Sequence, residues 1–173
     1  MTDLSLLQRW RLNGDATAFR EIVSRHAGLV YGTCRRILRN PADAEDVAQE
    51  CFEVLATRPH EPTVHLGAWL HRVATNRSIS RIRSEQKRIQ REKAFEATRE
   101  HTAVVETDDL YRYVDQAIEN LPEKYRAPIV AVFLENQSKA ATARDIGIAP
   151  RTADFTIGQA EELTLDFDLR GQQ

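Results

Sequence analysis

Residues 40–57, NPADAEDVAQECFEVLAT, decide how the rest of the chain is read. Asn40 is suited to cap free backbone N–H groups, and Pro41 fits the first helical position, where its missing donor costs nothing. Asp43, Glu45 and Asp46 load the first turns with negative charge, which favours the positive end of the helix dipole. At about 100° per residue, Ala44, Val47, Ala48, Cys51, Val54 and Leu55 share one apolar face. Asp43, Asp46, Glu50 and Glu53 fall on the opposite side. The pattern predicts a helix with an apolar back for a core. Its acidic front is either a solvated face or a docking surface for a basic partner.

Outward from this helix, the punctuation is helical on both sides. Leu4, Leu7 and Trp10 recur at helical spacing and stop at Asn13-Gly14, a C-terminal signal. Asp15 can cap a second helix with Phe19, Ile22 and Val23 inward, which is expected to break or bend near Ala27-Gly28. A third carries Leu29, Val30, Thr33, Cys34, Ile37 and Leu38 to Arg39-Asn40. Arg58 to Leu66, with two prolines, reads as a loop. A long helix then starts near Gly67 with Leu66, Trp69, Leu70 and Val73 on one face and passes Arg83. From Ser84 to Asp109 the charge is high and the periodicity weak, as in a solvated helical extension grading into a flexible linker. Apolar rhythm returns at Leu110, Val114, Ala117, Ile118 and Leu121. Pro122 opens a further helix, in which Pro128 should cause a kink or delay. Ser138 to Ile146, a turn at Gly147, and a second helix begun at Pro150 or capped by Thr152 have the layout of a helix-turn-helix.

The chain has 173 residues, with only 7 Gly and 6 Pro, so a turn-rich all-β fold is disfavoured. Its 42% hydrophobic residues suffice for a core, and no run of about 18 apolar residues offers a membrane span. The N-terminus lacks the basic start and apolar stretch of a signal peptide. Cys34 and Cys51, both on apolar faces, read as reduced core residues of a cytoplasmic protein. The five His show no metal-ligand spacing, and no catalytic constellation, phosphate loop or cofactor motif is present, so no enzyme activity, metal or cofactor is expected. Net charge is −2, but it is unevenly spread. Trp69 to Lys93 holds eight basic residues against two acidic, whereas His101 to Gln173 holds seven against thirteen.

Three segments carry a resemblance to a known family. DAEDVAQECF, Asp43 to Phe52, resembles the most recognisable segment of the bacterial extracytoplasmic-function (ECF) sigma factors, small members of the sigma-70 family. GAWLHRVATNRSISRIRS, Gly67 to Ser84, is similar to that family's promoter-melting and minus-ten segment. LPEKYR, Leu121 to Arg126, is similar to the start of its second domain. The resemblance implies an all-α protein of two small helical domains: residues 1–90, which bind core RNA polymerase and minus-ten DNA, a linker over 91–108, and a helix-turn-helix domain over 109–173. It implies that Asp43, Asp46, Gln49 and Glu50, with Glu53 on the same face, grip the clamp helices of the largest polymerase subunit. Regulation by an anti-sigma partner clamping the two domains is a further implication.

Opening DNA needs positive charge along a phosphate backbone and contacts to unstacked bases. Arg72, Arg77, Arg81 and Arg83 supply the charge, and His71 and Asn76 are candidates for bases or sugars. Asn76 matches the family's Asn, while Ser80 stands where many relatives carry Asp. Trp69 is read as core rather than as a stacking platform. The recognition helix, Arg151 to Thr164, departs from the family. Asp154, Thr156, Gln159 and Glu161 stand where relatives commonly carry Lys or Arg, and carboxylates repel phosphates. Arg151 and Thr152 remain as DNA-contact candidates. The reading is therefore a promoter-specific initiation factor. Beside it stand a polymerase-binding competitor with impaired minus-thirty-five recognition, alone or with an auxiliary DNA binder, and a helical interaction module unrelated to polymerase.

Overall fold

The computed structural model describes residues 1–59, 65–95, 109–149 and 151–159. The described residues are helical throughout, with no strand. Helix α1 (Asp3–Asn13) closes on Gly14, whose φ of 61° supplies the left-handed cap. Helix α2 (Ala16–Leu38) is capped by the Asp15 carboxylate, which accepts from the backbone N–H groups of Thr17 and Ala18. The expected break at Ala27-Gly28 does not occur: α2 is one continuous helix. Gly28 is exposed and its missing side chain leaves open space, so flanking turns that pack on both sides carry the helix across it.

Helix α3 (Pro41–Thr57) starts as its sequence predicts, with the Asn40 side chain accepting from Ala42 N–H and Pro41 in the first turn. Helix α4 (Leu66–Phe95) runs further than the domain end expected at residue 90. The stretch beyond it, 96–108, where the linker was expected to become flexible, lies outside the described residues.

The first core gathers Leu6, Leu7, Ile22, Val30, Cys34, Ala44, Val47, Cys51, Leu55, Leu66, Leu70 and Ala74 from α1 to α4. Trp69 packs against it, as a core role requires, and both cysteines are free and buried. Leu4 is exposed and Leu6 is buried in its place. Trp10 stacks on Phe19 with ring centroids 4.8 Å apart and donates its indole N–H to the Ala56 carbonyl, which ties α1 to the end of α3.

Helices α5 (Asp109–Asn120), α6 (Glu123–Ile129) and α7 (Lys139–Ile146) follow. Pro128 lacks the N–H that would continue the α-helical ladder, and the chain passes directly into a π-helical turn, Val130–Leu134, so the expected disturbance takes that form. Ser138 caps α7 and Gly147, at φ 76°, ends it. The last described helix, α8, covers 151–159. The Ala149 carbonyl accepts from both Thr152 and Ala153, so Thr152 lies inside the helix rather than at its cap. Ala153 and Ile157 of α8 are buried, which preserves helix-turn-helix packing despite the acidic sequence.

The two halves do not stand apart. Leu29 of α2 and Ala68 of α4 join Ile118, Ala127, Ile129 and Val130 in a second apolar cluster. Helix α4 is thus covered on one side by α1–α3 and on another by the second half.

Candidate polymerase and DNA interface

The acidic front of α3 is real and open. Asp46 keeps 68% of its side-chain surface exposed, and Gln49 and Glu53 are also exposed, joined by a hydrogen bond of 3.0 Å. It is not isolated, because α4 runs beside it. The Arg77 guanidinium donates to Glu50 at 2.5 Å, and Arg81 donates to Asp43 at 2.9 Å with Asp46 at 3.9 Å. These partners are all solvated, so each pair is worth little to stability. Their consequence is placement: carboxylates and guanidinium groups form one continuous surface, with the carboxylates of α3 on one side and the arginines of α4 on the other. Hydrogen bonding to Asp43 is the main reason the Arg81 pKa is raised above its ordinary value, so this charge is held firmly. Arg83 lies exposed further along α4.

The other candidates on α4 face the second half of the chain. His71 is wholly buried, and its Nε2–H donates to Asp115 Oδ1 of α5 at 2.9 Å. Asn76 donates to Glu119 at 3.3 Å, and Arg72 Nε lies 3.9 Å from the same carboxylate oxygen. Asp115, 1% exposed, also receives Arg36 Nε at 3.0 Å and Nη2 at 2.8 Å. Burial alone would raise the Asp115 pKa, but hydrogen bonds from His71 and Arg36 outweigh that cost and lower it. So His71, expected at a DNA-facing surface, is enclosed between α4 and α5 and contributes to packing in this arrangement.

A second ionic cluster spans the same seam. The His26 ring, 4% exposed, lies 2.8 Å from Asp3 through Nε2 and 2.8 Å from Glu135 through Nδ1. Two carboxylates can only accept, so both ring nitrogens carry protons. Burial acts to lower the His26 pKa, yet the bonds and charges of Asp3 and Glu135 prevail and raise it from 6.5 to about 9. Glu135 in turn sits where a side chain on Gly67 would stand: a Cβ there would collide with the Glu135 carboxylate.

Sequence reasoning brought out α3 and the arginines of α4 but missed Arg36, Asp115, Glu119, His26 and Glu135. His26 did carry a signal, since it shares the inward stripe with Ile22, Leu29, Val30 and Thr33. Asp115 did not: the apolar rhythm assigned Val114 inward, whereas Val114 is exposed and Asp115 buried. In the helix-turn-helix, Arg151 and Thr152 are exposed at the start of α8, clear of its buried face. Asp154 is exposed as well and pairs with Lys139 of α7 at 3.4 Å, so part of its charge is neutralised locally.

Comparison with known proteins follows this division of the chain. Residues 22–88 match the family model for sigma-70 region 2, and residues 111–163 match that for sigma-70 region 4. The ECF RNA polymerase sigma factor SigW of Bacillus subtilis is 29% identical over 165 residues, covering 86% of this chain and 88% of SigW. The ECF RNA polymerase sigma factor SigM of Mycobacterium tuberculosis is 31% identical over 152 residues, covering 85% of this chain and 75% of SigM. The solved structure of CnrH in complex with the cytosolic domain of CnrY aligns over 99% of each chain at 18% identity, with a TM-score of 0.44. With region 2 and region 4 both matched in order, the chain belongs to the ECF sigma factors of the sigma-70 family.

Proposed function

We infer that this protein binds core RNA polymerase and directs promoter-specific initiation of transcription, as a cytoplasmic initiation factor rather than an enzyme. The observation that carries this reading is the joint surface of α3 and α4, where exposed carboxylates adjoin a row of arginines within the segment matched to region 2. Asp43, Asp46, Gln49, Glu50 and Glu53 would meet basic side chains of the clamp helices in the largest subunit. Arg77, Arg81 and Arg83 would follow the backbone of the opened strand, with His71, Arg72 and Asn76 added once α5 is clear. Arg151 and Thr152 supply the contacts left to α8. The match to both regions favours a working initiation factor over a competitor that only binds polymerase.

The test is binding of labelled protein to purified core polymerase. The reading expects a saturable complex that weakens as salt rises and that is lost when Asp46 and Glu50 are both changed to Lys. A complex indifferent to that reversal would mean that α3 is not the docking face.

A further inference from the structure

Helix α8 carries a phenylalanine at the centre of its open face. Ala153 and Ile157 are both 0% exposed and fix which side packs inward. At about 100° per residue the position opposite that pair is 155. Phe155 keeps 64% of its surface exposed, more than any other aromatic residue among those described. One turn before it stands the exposed Arg151, with Thr152 alongside. One turn after it stands Gly158, where an added Cβ would meet nothing within 4 Å. The flanks of this ridge are tied off. Asp154 pairs with Lys139 of α7 at 3.4 Å, and Gln159 accepts a hydrogen bond from the Tyr125 hydroxyl at 3.3 Å.

A phenyl ring has no hydrogen-bonding group, so it cannot read the donors and acceptors on base edges. The major groove carries one apolar mark, the C5 methyl group of thymine, and phenylalanine is among the side chains that contact it. In a helix-turn-helix the residues near the start of the second helix are the ones that reach base edges. Phe155 lies in the second turn of α8, inside the segment matched to sigma-70 region 4. Arg151 sets a permanent positive charge one turn earlier, suited to a phosphate or a guanine edge. Lys139 offsets the Asp154 carboxylate, which reduces its repulsion of phosphates beside the ridge. The open space at Gly158 leaves room for a groove wall to approach the next turn.

We propose that Phe155 is a specificity-determining residue of the second domain: its ring selects thymine in the upstream promoter element through the C5 methyl group, with Arg151 anchoring the helix beside it. The proposal rests on the initiation-factor reading and deepens it. It assigns α8 a base read by apolar contact, in a helix that is poor in the cationic side chains suited to the purpose.

The test uses the full chain with core polymerase. Genome fragments that give discrete starts are remade with deoxyuridine for thymine in the minus-thirty-five segment, which keeps base pairing and removes only the methyl groups. Wild type is compared with Phe155→Ala, a change at an exposed site whose fold is checked by circular dichroism. Wild-type initiation is expected to fall about fourfold on the deoxyuridine templates, the worth of one buried methyl group. Phe155→Ala is expected to start from a similarly lowered level on thymine and to lose nothing further on deoxyuridine. A Phe155→Ala protein still sensitive to the exchange, or starts that share no upstream thymine, overturns the proposal. So does a wild type indifferent to the exchange; if Phe155→Ala is then weak on both templates, the ridge contacts protein instead of DNA. Each of these results leaves the initiation-factor reading standing, because discrete starts are present. If the wild type gives no discrete start, that reading fails and the proposal falls with it.

Discussion

Glu50 of α3 accepts a hydrogen bond from Arg77 of α4 at 2.5 Å, so the face assigned to polymerase and the face assigned to DNA meet in one ion pair. Arg81 repeats the arrangement with Asp43 at 2.9 Å. Glu50 and Asp43 are therefore partly screened by a directly bonded arginine, whereas Glu53 is bonded only to the neutral Gln49.

Asp46 is held less closely than Asp43 or Glu50, at 3.9 Å from Arg81 and largely solvated. Asp46→Lys is expected to weaken core binding by about tenfold, chiefly through a slower association rate. Because the site is exposed, unfolding free energy should move by no more than about 0.5 kcal/mol. Stopped-flow association and urea melts of the same protein check the two halves of this statement.

His26 gives the seam a pH dependence of defined sign. It faces Asp3 from α1 and Glu135 from the second half, with Arg25 beside Asp3 and His65 near Glu135. Its folded-state pKa is raised from 6.5 to about 9, so the stabilisation is complete below about pH 6.5 and is lost as pH rises through about 9. The span corresponds to on the order of 3 kcal/mol. Denaturant melts between pH 6 and 10 should show the loss in the wild type and a flatter profile in His26→Gln.

Two glycines should resist alanine for different reasons, one of them reversible by a second substitution. Gly147 stands at φ 76° with open space around it, so Gly147→Ala costs about 1 kcal/mol through backbone strain alone. Gly67 is helical, so Gly67→Ala is limited by the carboxylate of Glu135. Combined with Glu135→Ala, the Gly67→Ala change should become neutral or stabilising, whereas Gly147→Ala should keep its cost. A double-mutant cycle in urea measures both.

Local signals were legible and long-range polar ones were not. Asn40, Pro41, Asp15, Gly14, Ser138 and Gly147 act where the sequence placed them, because capping depends on a few neighbouring residues. The inward stripe of α3 held at Ala44, Val47, Cys51 and Leu55 for the same reason. The continuity of α2 across Gly28 was hidden, since tertiary packing on both sides overrides a weak helix former. Docking of the second half was hidden too. It depends on Asp115 and Glu135, charged residues whose burial makes sense only beside Arg36, His71 and His26, far away in the chain. The joint surface of α3 and α4 was half legible: both charge sets could be read, but not that Arg77 and Arg81 pair with Glu50 and Asp43.

The most direct measurement is transcription by purified core polymerase supplied with this protein on fragments of its own genome, with start sites mapped. The account predicts discrete starts that share an upstream minus-ten-like element and vanish when Asp46 and Glu50 are both changed to Lys. Core binding without any specific start would contradict it.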